Sequence, residues 1–332
     1  MEKIEQFRAF RIDNEDGEIV AGFQTLAPDD LSPGNVLVRV THSTINYKDA
    51  LAATGKGKIL RHYPLNGGID LAGVVVSSDD PAWKPGDDVL VNGTGLSETV
   101  DGGYSEYARV DSKSLVAIPD EISAFEAMQL GTAGYTAALA IHRMEQNGQR
   151  PEGGPIVVTG ATGGVGSVAI DMLAGRGYEV VAVTGKATEE AYLREIGARR
   201  ILLRDKIDLG KRPMEKALWG GAIDNLGGDY LTWLTRTIDY GGNIASIGLA
   251  ASAALNTTVL PFILRAVCLL GINSVDTPSD LRRAVWARIG GDLKPQHLDT
   301  IGHKTITFDE LPDAFQAFID GTVTGRVVVK IA

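Results

Sequence analysis

Ile156-Val-Val-Thr-Gly-Ala-Thr-Gly-Gly-Val-Gly-Ser-Val-Ala-Ile170 decides how the rest of the chain is read. Ile156, Val157 and Val158 form a short apolar run of the kind found in a buried parallel strand, and the glycine-rich segment runs from it straight into a helical pattern. Gly160, Gly163 and Gly166 recur every third residue, with Gly164 between them. A backbone without side chains at those positions can turn tightly and approach a pyrophosphate, which the free N–H groups at the helix start would face. A second strand pattern, Glu179-Val-Val-Ala-Val183, follows at the spacing of a βαβ unit and ends in Thr184-Gly185-Lys186. An NAD-selective site carries an acidic residue at that strand end; here a hydroxyl and a cation stand there, which suits the 2′-phosphate of NADP(H).

Further strand patterns at 200–203, 222–226, 243–248 and 267–272, separated by helical segments, complete a six-stranded expectation: an α/β, Rossmann-type doubly wound parallel sheet. Residues 1–125 have a different habit. Short segments such as Val36-Leu-Val-Arg-Val40 and Asp88-Val-Leu-Val91 are divided by glycine, proline and aspartate turns, which predicts a β-rich unit rather than a βαβ repeat. Near the C-terminus, 278–293 reads as a helix, Lys304 to Phe308 as a strand, Leu311 to Ile319 as an amphipathic helix and Arg326 to Ile331 as a final strand. The expected division is therefore 1–124 with 297–332 as a catalytic and substrate domain, and 125–296 as the NADP(H)-binding domain.

Composition narrows the function classes. The chain has 332 residues, 44% hydrophobic and 22% charged, with a net charge of −10. This argues against a nucleic-acid surface and for an ordinary globular protein. No apolar run reaches membrane-spanning length and Met1 to Phe10 does not pattern as a signal peptide, so the expectation is a cytoplasmic protein with no membrane partner. The single cysteine, Cys268, excludes a disulfide framework and a thiolate zinc cluster within one chain. His42, His62, His142, His297 and His303 share no metal-ligand spacing, so no metal is expected.

The motifs Asn46-Tyr47-Lys48-Asp49, Gly68-Ile69-Asp70-Leu71-Ala72-Gly73, Gly131-Thr-Ala-Gly-Tyr-Thr-Ala137 and Pro261-Phe-Ile-Leu-Arg265, taken with a β-rich N-terminal section and an inserted nucleotide section, resemble the medium-chain dehydrogenase/reductase superfamily. Within it they are similar to the zinc-independent, quinone-oxidoreductase-like branch and to its acryloyl-CoA reductase subgroup. The resemblance implies a GroES-like catalytic domain, NADPH as cofactor and a homodimer paired through 267–275. It places Thr162, Gly163, Gly164 and Val165 at the pyrophosphate, and Thr184, Gly185, Lys186 and Arg204 at the adenosine phosphate. Leu249, Ile263 and Ser274 would border the adenine and nicotinamide ends, and Arg326 resembles a C-terminal cofactor contact. Tyr47 is the candidate donor near the reacting carbonyl or nicotinamide, with Asn46 orienting it or holding the nicotinamide ribose.

Without a Lewis acid, hydride addition to an activated double bond is more natural than reduction of a simple ketone. Lys56, Lys58 and Arg61, set among glycines in Gly55-Lys-Gly-Lys-Ile-Leu-Arg-His62, are candidates for contact with CoA phosphates; on the residues alone the first reading is a solvated loop. The expected reaction is reduction of a short α,β-unsaturated acyl-CoA, acryloyl-CoA first. A quinone or enone reductase with no CoA site, and an NADPH-binding protein without turnover, are the competing readings.

Overall fold

The computed structural model describes residues 4–332. Its first compact unit comprises the chain up to Thr132 together with Val275–Gly290 and Gly302–Ala332; the second comprises Ala133–Ser274 and Gly291–Ile301.

In chain order the first unit begins with β1 (Phe7–Glu15) and β2 (Glu18–Leu26), which form a hairpin closed by the turn at Asp16-Gly17, both in left-handed conformations. Next come β3 (Val36–Thr44), α1 (Tyr47–Ala53), β4 (Leu65–Asn66), β5 (Asp70–Ser78), β6 (Asp88–Asn92), β7 (Tyr107–Val110) and β8 (Val116–Ala117). Val36, Val38 and Val40 alternate inward along β3 and are fully covered, as period-two patterning of a half-buried strand requires. They pack with Leu71, Val75, Val89 and Val91 into the core of this unit.

The second unit is the six-stranded parallel sheet foreseen from the glycine segment. It consists of β9 (Ile156–Thr159), β10 (Val180–Thr184), β11 (Arg200–Leu203), β12 (Trp219–Asp224), β13 (Ile238–Ser246) and β14 (Cys268–Gly271), in the spatial order β11-β10-β9-β12-β13-β14. Chain order reverses direction at β9, so the crevice outside the carboxyl ends of β9 and β12 is the topological switch point. β9 is buried at every residue, which is why its sequence runs apolar without alternation. After α2 (Ala124–Gln146) in chain order, the connections of this sheet include α3 (Gly164–Gly175), α4 (Glu190–Glu195), α5 (Gly228–Thr237) and α6 (Leu260–Arg265). The Arg265 that closes α6 donates to the carbonyls of Glu215 at 2.6 Å and Arg236 at 2.9 Å, so the terminal arginine of the Pro261–Arg265 motif is a backbone clamp.

After β14 the chain divides its last elements between the units, and here the division differs from the expected one at 296/297. The helix Ser279–Gly290 sides with the first unit: Arg282 is buried and donates to the Asn92 carbonyl at 2.7 Å, and Trp286 Nε1 donates to Asn92 Oδ1 at 3.1 Å. Residues 291–301 stay with the second unit, where His297 meets Asp171 at 3.0 Å and Thr300 donates to Glu195 at 2.7 Å. The first unit is then completed by the strand Lys304–Thr307, the helix Leu311–Ile319 and the strand Val327–Lys330, which pairs antiparallel with β3. No helix among the described residues is long and apolar enough to cross a membrane.

Candidate active site

In the second unit, β9 ends at Thr159 and the chain turns through Gly160, which sits at φ 61°, into α3 with Gly163 as its N-cap. No side chain caps this helix, so its first amides are left for a ligand or solvent. A Cβ on Gly166 would lie 2.4 Å from the Gly160 carbonyl oxygen, so only glycine lets the helix approach the turn this closely. Thr162 is buried in the turn, while Gly163, Gly164 and Val165 are partly accessible; the four residues expected at a pyrophosphate are thus consecutive around one helix start.

The expected adenosine-phosphate residues are also brought together. β10 and β11 pair in parallel, Thr184 opposite Leu203, which sets Arg204 beside Gly185. A Cβ on Gly185 would meet the Arg204 guanidinium at 3.4 Å. Thr184 is buried and its hydroxyl accepts from the Lys186 amide at 3.0 Å, fixing the strand end. Burial pushes the Lys186 ammonium below its ordinary value, against the opposing pull of Glu189. Two cations flank a bare glycine at the place where an NAD-selective site carries a carboxylate.

Asn225 was not foreseen. It follows β12, donates to the Thr159 carbonyl at 2.7 Å, and its Oδ1 is buried with no hydrogen-bond partner. Asp224 before it accepts from Thr159 Oγ1 at 2.7 Å and Gly227 N at 2.8 Å, and burial raises its pKa. The polar end of Ile223-Asp-Asn-Leu-Gly-Gly228, directly after an apolar strand at the switch point, was the available signal. The Ala250 amide donates to the Asn225 carbonyl at 3.3 Å, which holds the Gly248-Leu249-Ala250 loop there and leaves Leu249 67% exposed. Ile263 is 68% exposed on α6, and Ser274 is partly buried just after β14. The consecutive turn with its open helix amides and the two cations fit the phosphates of a dinucleotide.

In the first unit Tyr47 opens α1 and is 54% exposed, so its phenol is accessible. Asn46, the N-cap of the helix that Tyr47 opens, is buried. Its Nδ2 donates to Asp70 at 2.7 Å and Asp49 at 3.0 Å, which uses both amide hydrogens, while its Oδ1 accepts from Arg326 at 3.2 Å. The expectation of a C-terminal cofactor contact at Arg326 is corrected. It is 2% exposed and donates to Thr44 Oγ1 at 2.9 Å and the Gln129 carbonyl at 3.2 Å, which spends its guanidinium inside the unit rather than on a cofactor.

Asp70 accepts from the Thr132 amide at 2.9 Å and its hydroxyl at 2.7 Å. Asp49 accepts from the amides of Asn46 at 2.8 Å and Ile69 at 2.9 Å. Burial first, and Asp70 second, push Asp49 up to about 7. Because the folded-state value lies above the unfolded one, this group's contribution to stability is fully present below about pH 4 and is lost as the pH rises through about 7.

The 55–62 loop is held at its base, where Arg61 N donates to the Glu98 carbonyl at 2.8 Å and the His62 ring contacts the Thr99 carbonyl at 2.9 Å. Lys48 also forms an ion pair with Glu98. Lys56, Lys58 and Arg61 are exposed. Among the described residues no three His, Cys, Asp or Glu side chains converge as metal donors, so the residues present do not fit a zinc ion.

Residues 32–120 match the family described as Alcohol dehydrogenase GroES-like domain, and 164–289 match Zinc-binding dehydrogenase. Over 326 residues, 98% of this chain and 99% of its relative, the sequence is 45% identical to the putative quinone oxidoreductase YhfP of Bacillus subtilis. The chain belongs to the medium-chain dehydrogenase/reductase family. Within this oxidoreductase family it is also 45% identical to the probable acrylyl-CoA reductase AcuI of Escherichia coli, over 98% of this chain and 99% of that protein. The crystal structure of the Salmonella enterica yhdH oxidoreductase, solved in complex with NADP, superposes with a TM-score of 0.95 at 46% identity, covering 98% of this chain and 100% of that one. YhfP, crystallised with NAD bound, superposes at 0.96.

Proposed function

We propose that this member of the family reduces the C=C bond of a short α,β-unsaturated acyl-CoA, acryloyl-CoA first, with NADPH. The paired cations Lys186 and Arg204 around Gly185 carry the cofactor reading, and the NADP complex of the Salmonella relative supports it. Thr162, Gly163, Gly164 and Val165 take the pyrophosphate, and Leu249, Ile263 and Ser274 border the rest of the dinucleotide. When bound, NADPH would supply a hydride to the β-carbon, and the enolate left by opening of the C=C π bond would then take a proton at the α-carbon to give the saturated thioester. The protein's share is to orient the acyl group and to stabilise the negative charge that develops on the thioester oxygen. Tyr47 is the donor to that oxygen, since its phenol is accessible and its O–H can donate a hydrogen bond. The names of the AcuI and YhfP relatives divide between an acyl-CoA and a quinone.

The basic loop favours the acyl-CoA, because a quinone offers Lys56, Lys58 and Arg61 nothing to bind, whereas a 3′-phosphate and pyrophosphate do. Replacing Lys56 and Lys58 together by alanine is expected to raise KM for acryloyl-CoA about tenfold, roughly 1.4 kcal/mol, while leaving KM for a small quinone within about twofold. Equal effects on both substrates would remove the CoA reading. A homodimer is part of the same proposal: β14 is an edge strand, and Leu269, Val259 and Leu264 are exposed on and before it.

A further inference from the structure

Four non-glycine residues among the described ones have positive φ, and two of them stand in one short stretch of the first unit, Asn92-Gly-Thr-Gly-Leu-Ser97. Asp16 belongs to the β1–β2 hairpin turn, and Ala266 is the left-handed C-cap of α6. Thr94, at φ 52°, and Ser97, at φ 57°, lie between β6 and β7 and close neither a hairpin nor a helix. A β-branched side chain is among the least suited to that backbone, which Gly93 and Gly95 on either side adopt freely at φ 66° and 90°. Local hydrogen bonding does not offset the strain. Asn92 Nδ2, Thr94 Oγ1 and Ser97 Oγ are all buried with no hydrogen-bond partner.

The surroundings hold the stretch in place. Arg282 donates to the Asn92 carbonyl at 2.7 Å, Gly93 N to the Ile69 carbonyl at 2.9 Å and Ser97 N to the Val100 carbonyl at 2.8 Å. Backbone outliers fixed from outside in this way gather where a side chain is needed in one position. The tethers also say where that position is. Ile69, which accepts from Gly93, donates its own N–H to Asp49 in the first turn of α1 at 2.9 Å. Glu98, one residue past Ser97, pairs with Lys48, and its carbonyl accepts from Arg61 N at the base of the 55–62 loop. The stretch therefore runs from the start of α1, where the Tyr47 phenol is accessible, to the basic loop, with Thr94 at the end tied to that first turn. Thr94 is partly exposed although its Oγ1 is covered, so what it offers outward is carbon and backbone, not its hydroxyl.

We propose that Thr94 is a specificity-determining residue: its branched side chain, fixed at positive φ beside the first turn of α1, bounds the acyl group and restricts the enzyme to short enoyl chains. A side chain in that place rejects a β-substituent by shape, and an apolar wall discriminates about tenfold or more per methylene. The inference rests on the reading of the protein as an acyl-CoA reductase with Tyr47 as the donor to substrate.

The test is kcat/KM at saturating NADPH for acryloyl-CoA against trans-2-hexenoyl-CoA, which differs only by a β-propyl group, in the wild type, Thr94→Gly and Thr94→Val. In Thr94→Gly the ratio of the longer to the shorter substrate should rise about tenfold or more. Thr94→Val keeps the branched shape and replaces only the unpartnered hydroxyl, so its ratio should stay within about twofold of wild type. A ratio unchanged in Thr94→Gly, or shifted as far in Thr94→Val, overturns the proposal. The melting temperature of Thr94→Gly should hold or rise, because glycine takes positive φ freely and the orphaned hydroxyl is gone. A fall of about 5 °C or more would make the altered ratio a packing defect and overturn the proposal too. The enones but-3-en-2-one and trans-3-hepten-2-one carry the same difference without CoA and separate the two readings. If the thioesters are not reduced but the enone ratio rises in Thr94→Gly, it is the acyl-CoA reading that fails; if the thioesters are reduced and neither ratio moves, it is the role of Thr94. A protein that reduces neither pair overturns both.

Discussion

Replacing Tyr47 by phenylalanine is expected to lower kcat for acryloyl-CoA by about a hundredfold or more, the loss that follows removal of one donor to a developing oxyanion, roughly 2.7 kcal/mol. Hydride arrival at the β-carbon pushes charge onto the thioester oxygen, and a donor aimed there acts more strongly in the transition state than in the ground state. KM should therefore change less than about threefold. The substitution removes one oxygen from a side chain that is 54% exposed, so the melting temperature should hold, since surface changes of this kind stay within about 0.5 kcal/mol. An unchanged kcat would leave the phenol without a chemical role. A fall in kcat accompanied by lost thermal stability would make the effect one of packing.

Gly131→Ala is expected to destabilise the first unit strongly. Gly131 interrupts the helical run Ala124–Gln146 at φ 52° and ψ −155°, a conformation that belongs almost entirely to glycine. A Cβ there would stand 2.6 Å from Thr44 Cγ2, 2.8 Å from Arg326 Nη2 and 2.9 Å from Asp70 Oδ2. The added methyl meets two partners of a buried ionic network, where breaking the arrangement costs about 3–5 kcal/mol, in addition to backbone strain of about 1–3 kcal/mol. A loss of at least about 3 kcal/mol should appear as a lower urea midpoint for the first unit at similar slope. A loss below about 1 kcal/mol would mean the network tolerates the intrusion and is looser than its hydrogen bonds indicate. In the second unit, Gly148→Ala provides the contrast: no atom lies within 4 Å of its Cβ position, so only its positive φ is penalised.

These two residues mark the limits of reading the chain without its coordinates. The glycine turn, the six parallel strands and the helix Leu311–Ile319 were legible because each is coded by neighbours: apolar runs, a period near 3.6, glycines at short spacing. The cation at 186 was legible for a related reason, since it follows a strand; Arg204 was expected from the family resemblance alone, and it is the parallel pairing of β10 and β11 that sets it beside Gly185. Arg326 was misassigned because its partners, Asn46 among them, are far away in sequence. The bond between them spans 280 residues, and nothing local tells a buried guanidinium from one that meets a cofactor. The helix Ser279–Gly290 was assigned to the wrong unit for the same reason: its allegiance is decided by Arg282 and Trp286 reaching Asn92. The motif around Gly131 was noticed as a resemblance, but its physical cause, a glycine-only turn against Asp70 and Arg326, appears only in three dimensions.

The central claim is the use of NADPH to reduce an acyl-CoA. Its most direct test is the initial rate of NADPH oxidation by the purified protein with acryloyl-CoA beside a small quinone, with NADH in parallel. The expected result is a kcat/KM at least about a hundredfold higher for the thioester, some 2.7 kcal/mol of differential transition-state binding, and a clear preference for NADPH over NADH. A quinone reduced as well as or better than acryloyl-CoA would contradict the account: the 55–62 loop would then be a solvated surface, and the enzyme a quinone reductase on the same fold.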